Sequence, residues 1–137
     1  MKRFLCFIIA LLMLSSFVCT IVSAEESTPT PRFNNILNAD ATFVISNGIA
    51  TIEFYYSGYQ GQTTYANVTI LLEKRRLLVF WKDVEEWHIT STNAVDSFIR
   101  SCNVEGGTYR ATVTYEIGGT LGAADTGEIE REYVYED

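Results

Sequence analysis

The chain has 137 residues, three cysteines and a formal charge of −7, from 10 lysines and arginines against 17 aspartates and glutamates. A length of this order holds one small domain, which excludes multidomain enzymes, TIM-type barrels and long repeat arrays. The acidic balance argues against an electrostatic nucleic-acid binder, which needs a basic face to neutralise phosphates.

Residues 1–24 read as a secretory signal peptide. Met1-Lys2-Arg3 supplies the positive start, Phe4 to Leu14 is uncharged and apolar, and Val22-Ser23-Ala24 offers small residues ahead of a cleavage point between Ala24 and Glu25. The competing reading is an uncleaved anchor, since roughly 20 apolar residues suffice to span a bilayer. Ser15, Ser16, Thr20 and Ser23 dilute the second half and favour cleavage. Cys19 follows Val18, which does not suit lipidation. Cleavage removes Cys6 and Cys19 and leaves Cys102 alone. An oxidising compartment favours disulfides, but one thiol cannot form an internal one. The domain must then be held by its core.

Residues 25–38 contain Thr28-Pro29-Thr30-Pro31 and Asn34-Asn35 and show no sustained apolar period. They read as a flexible N-terminal segment, which places the folded domain at residues 39–137. From Ala41 onward the dominant period is two, the signature of strands. Phe43 and Ile45 alternate with Thr42 and Val44, and Asn47-Gly48 follows, the strongest short hairpin signal. In the return strand Ala50, Ile52, Phe54 and Tyr56 share one face.

A polar loop, residues 57–62, leads to Ala66, Val68, Ile70 and Leu72 on the inner face of the next strand. Lys74-Arg75-Arg76 reads as a basic turn, Leu77 to Trp81 as a further strand, Lys82 to Glu86 as a charged connection and Trp87 to Thr92 as a short strand. Phe98, Cys102 and Val104 then share a face, opposite Ser97, Ser101 and Asn103. Tyr109, Ala111, Val113, Tyr115 and Ile117 alternate cleanly after the turn Glu105-Gly106-Gly107. Beyond a glycine-rich loop, residues 118–127, Ile129, Arg131, Tyr133 and Tyr135 line one face of the last strand. Seven or eight short strands separated by regular turn signals predict an all-β fold, an antiparallel Ig-like β-sandwich.

Gly107-x-Tyr109 at the start of a late strand resembles the tyrosine corner of immunoglobulin-like domains, where the hydroxyl ties the strand to the preceding turn. The cysteine usual two residues later is here Ala111. A broader pattern comprises Asn47-Gly48-x-Ala50, Gly58-Tyr59-x-Gly61-x-Thr63-Thr64 and Val68-Thr69-Ile70-x-Leu72-x-Lys74. It continues with Trp81-x-Asp83-Val84-x-x-Trp87 and Gly107-x-Tyr109-Arg110. Over residues 43–117 the chain resembles small secreted single-domain proteins of gut-dwelling Gram-positive bacteria. The resemblance implies secretion and a sandwich fold and no particular chemistry. Cys102 stands where such chains often carry an aromatic residue.

Several constellations compete with bland readings. Glu86 and the only histidine, His88, fall on one strand face, too few ligands for zinc. No Gly-x-Ser-x-Gly is present, and Cys102 lies on an apolar face, as buried cysteines do. Glu128, Glu130 and Glu132 could supply the paired carboxylates of a glycosidase, but they read as a charged edge that discourages strand addition. No catalytic residue, metal or cofactor is therefore assigned.

Tyr59, Tyr65 and Trp81 are the candidate ligand-stacking residues, because aromatic rings stack on sugar faces and an exposed patch of them marks a binding surface. The leading expectation is a secreted or envelope-associated, non-enzymatic interaction module, monomeric, with an unknown protein or glycan partner and no nucleic acid. Membrane contact is expected only through an uncleaved signal segment. A carbohydrate-binding sandwich is the first alternative and a small hydrolase the second.

Overall fold

Period-two sequences become seven strands in the computed structural model, which describes residues 33–77 and 79–136. They are β1 (Ile36–Ser46), β2 (Ile49–Gly58), β3 (Thr63–Arg76), β4 (Phe80–Ser91), β5 (Val95–Asn103), β6 (Gly107–Gly119) and β7 (Asp125–Tyr135). The signal-peptide reading of residues 1–24, the Ala24/Glu25 cleavage point, Cys6, Cys19 and the linker reading of residues 25–32 lie outside the described residues.

The strands form two antiparallel sheets, one in the order β1-β2-β5 and the other β4-β3-β6-β7. The inward faces are those expected from alternation. Ala50, Ile52, Phe54 and Tyr56 of β2 face Ala66, Val68, Ile70 and Leu72 of β3 and Tyr109, Ala111, Val113, Tyr115 and Ile117 of β6, all buried. Aromatic contacts join the two layers: the Phe54 ring lies 5.5 Å from Tyr115, and Phe43 meets Tyr133 edge-on at 5.9 Å. Such pairs add about 0.5–1.5 kcal/mol each beyond the area they bury. Residues 32–137 form one compact unit, and among the described residues its own two sheets enclose the core.

The β1–β2 hairpin closes on Asn47 and Gly48, with φ of 51° and 72°, the left-handed pair that a two-residue type I′ turn requires. At the start of β6 the Tyr109 hydroxyl donates to the Glu105 carbonyl at 2.7 Å. Its ring is 2% exposed, so the hydroxyl ties the β5–β6 turn to the core. Tyr109→Phe removes that bond and strands the carbonyl; we expect a loss of about 1–2 kcal/mol in urea unfolding with an unchanged m-value.

Three expectations are corrected. The fold begins before residue 39: β1 starts at Ile36, and Asn35 and Ile36 are buried. A carboxylate far along the chain, on Asp125, holds this stretch, so local composition carried no sign of it. Lys74, Arg75 and Arg76 are not a turn but the last residues of β3, paired with Lys82, Trp81 and Phe80. Lys82 to Glu86 is likewise strand, continuous with Trp87. Here β4 is a sheet edge exposed on both faces over most of its first half, so charged side chains meet water in either direction and the period-two signal vanishes.

Candidate functional site

The three candidate stacking residues do not share a surface. Tyr59 lies half-buried in the β2–β3 loop, where its N–H donates to Thr63 Oγ1 (2.9 Å) and its carbonyl accepts from the Gln62 and Thr63 N–H groups. Tyr65, near the start of β3, donates its hydroxyl to Glu116 Oε1 at 3.0 Å, and its ring lies against Gly118. That hydrogen bond to a carboxylate, chiefly, pushes the phenol above its usual range. Trp81 is at the opposite end of the sheet. It pairs with Arg75, ten positions along β3 from Tyr65, roughly 33 Å at about 3.3 Å per residue.

Trp81 is also occupied. The Arg75 and Arg110 guanidinium groups lie 4.8 and 4.4 Å from its ring centroid. Arg110 in turn donates through Nε and Nη2 to Glu73 Oε2, at 2.8 and 2.7 Å, and reaches Glu130 at 3.5 Å; Arg75 reaches Glu132 at 3.6 Å. An ionic belt thus crosses the outer face of the four-stranded sheet, with the indole as its lid. Glu130 and Glu132, exposed on the edge strand β7 as expected, are two of its members.

Glu86 and His88 do share a face, with Nε2 3.6 Å from Glu86 Oε1 and Nδ1 3.0 Å from Thr69 Oγ1. No group of three or more metal-ligating side chains occurs among the described residues. Cys102 is free and half-buried, opposite Ala50 and packed on the core. Burial, and secondarily Glu85, raises its thiol pKa above the ordinary value. Since the thiolate is the reactive form, a thiol dye at pH 8 should label the native protein more than about tenfold slower than the urea-unfolded chain; equal rates would place Cys102 in open solvent.

The feature that sequence reading missed is the β3–β4 hairpin end. Pairing of β3 with β6 stops at Lys74, whereas pairing with β4 runs on to Arg76 and Phe80, so the last two rungs of the hairpin are not bonded to β6. Leu77, Val79 and Phe80, expected in a strand, are 83%, 72% and 62% exposed. Behind them come Lys74, Arg75, Arg76 and Lys82, four of the chain's 10 basic residues, with no acid between Lys74 and Lys82. Among the described residues neither Arg76 nor Lys82 has an ion-pair partner. An open cleft of about 370 Å³ runs beside the hairpin base, lined by Lys74, Arg76, Val84, Asn103, Val104, Glu105 and Tyr109. The available signal was local: Leu77-Leu78-Val79-Phe80-Trp81 is apolar at every position instead of alternating, and basic residues bracket it. An apolar apex with a cationic collar can leave water for an apolar medium while its charges meet anions.

No protein-family model, curated protein or solved structure matches the chain.

Proposed function

We propose that the protein is an exported, envelope-associated Ig-like β-sandwich that works by binding and not by catalysis, and that the β3–β4 hairpin end is its contact surface. The Ig-like reading draws support from the order of the strands. In constant-type immunoglobulin domains the first, second and fifth strands share one sheet and the third, sixth and seventh the other. The same partition is found here, with β4 moved beside β3. The Tyr109–Glu105 hydrogen bond supports it further.

The observation that carries the binding role is the exposure of Leu77, Val79 and Phe80 together at the tip of the β3–β4 hairpin. Isolated exposed apolar residues are ordinary, but a contiguous cluster at a projecting apex is what a contact surface requires. The full chain and a Leu77→Asn, Val79→Thr, Phe80→Thr variant, expressed in a Gram-positive host, should partition differently between washed envelopes and medium. Retention of the parent and roughly tenfold release of the variant is expected, since losing even one buried apolar side chain is worth about 1.5–3 kcal/mol. Identical partition would remove the hairpin end as the contact surface.

A further inference from the structure

We infer that the β3–β4 hairpin end docks on a lipid bilayer that carries anionic headgroups. This rests on the reading of the hairpin end as the contact surface and names its partner. The first ground is the turn itself. The β1–β2 and β3–β4 turns both use the left-handed region: Asn47 and Gly48 in the first, and Leu77, with φ of 57°, in the second. Asparagine and glycine accept that conformation readily, whereas leucine is disfavoured there. Leu77 is also the most exposed of the large apolar side chains among the described residues. Folding gains nothing from leucine that asparagine would not supply with less strain. An apolar medium outside the chain does gain from it.

Size selects between media. A stable protein–protein interface covers roughly 800 Å² per partner. Leu77, Val79 and Phe80 on the apex of a two-stranded ribbon are three side chains, against the roughly 20–30 residues a side of such an interface. A bilayer makes no such demand, because insertion by about 5–10 Å buries each apolar side chain completely.

Charge placement then selects the lipid. Arg76 pairs with Phe80, Arg75 with Trp81 and Lys74 with Lys82, so the cations sit within about 7 Å behind the Phe80 rung at about 3.3 Å per residue. That interval separates the acyl boundary from the phosphates. The next rung back, Glu73 opposite Asp83, is acidic, and Glu105 and Glu132 approach Lys74 and Arg75. Arg76 and Lys82 remain to meet headgroups. Acids at the far ends of the strands are screened over a Debye length of about 10 Å at 0.1 M salt; Asp83 and Glu85 follow within three residues of Lys82, so Arg76, on the apical rung, is the cation farthest along the ribbon from them.

The test uses residues 25–137, which hold both sheets and the core of the described residues, in co-sedimentation with vesicles of phosphatidylcholine alone or of equal phosphatidylcholine and phosphatidylglycerol. Circular dichroism confirms that each variant is folded. Partition onto the mixed vesicles should exceed that onto phosphatidylcholine by about tenfold or more and fall with added salt. The Leu77→Asn, Val79→Thr, Phe80→Thr variant should lose about tenfold on mixed vesicles. Arg76→Gln with Lys82→Gln should lose a similar factor on mixed vesicles and little on neutral ones. Equal partition of the parent onto both vesicles, or variants that bind as the parent does, would overturn the inference. If vesicles fail while the apical variant is still released from envelopes in cells, the lipid is wrong and the contact surface stands.

Discussion

Asp125→Ala should be among the most damaging single substitutions in the protein, lowering unfolding stability by about 3–5 kcal/mol. Asp125 opens β7 and is 6% exposed. Its carboxylate accepts the backbone N–H groups of Asn34 (2.8 Å), Asn35 (2.5 Å) and Ile36 (3.0 Å), some ninety residues earlier. The Asn35 side chain donates to the Ala123 carbonyl at 2.8 Å, and Thr63 donates its hydroxyl to the Asn35 carbonyl at 2.5 Å. The clamp thus joins the first residues of the three-stranded sheet to the β6–β7 loop of the other sheet. Hydrogen bonds to a charged group contribute about 1.5–3 kcal/mol each, and three sharing one acceptor group add up to less than their sum. Alanine leaves buried N–H donors unpaired and frees the start of β1. Urea unfolding measures the loss, and amide exchange at residues 34–36 should accelerate beyond the global change. A loss below about 1 kcal/mol would mean that water replaces the carboxylate without penalty.

Arg110→Ala should cost about 3 kcal/mol, and adding Glu73→Leu should recover most of it. The reason is the asymmetry of buried ion pairs. The Glu73 and Arg110 side chains are 11% and 24% exposed, so removing one partner abandons the other where water scarcely reaches. Replacing both with apolar residues restores packing and leaves no orphaned charge. Trp81 is part of the same unit because its ring covers the guanidinium at 4.4 Å. A double-mutant cycle in urea unfolding is the measurement. A coupling energy near zero, with single losses that simply add, would show that the belt is held by solvent and not by its own members.

The all-β class was legible because each central strand has one face in the core. Along β2, β3 and β6 the buried and open residues alternate as the sequence does. Asn47-Gly48 announced the first hairpin because its turn chemistry is local. Alternation failed along β4, whose first half has water on both sides, and at Leu77, Val79 and Phe80, whose apolar character serves no internal face. The aromatic candidates failed for a different reason. Composition shows that tyrosines and tryptophans are present, but only pairing register shows that Trp81 lies ten β3 positions from Tyr65 and already carries two guanidinium groups.

The opening residues of β1 make the same point from the other side. A stretch of Asn, Leu and Ile after two prolines carries no period, and Asp125 is one acid among 17. What the sequence by itself determined is therefore what nearest neighbours and period encode: strands, the Asn-Gly turn, the inward faces and the tyrosine that ties β6 to its preceding turn. The tertiary structure alone decided where β1 begins, which charges join the ionic belt and which apolar residues are left outside at the hairpin end. Each of these depends on groups distant in sequence, or on a rung of pairing that no neighbour shares, and neither leaves a mark in local periodicity.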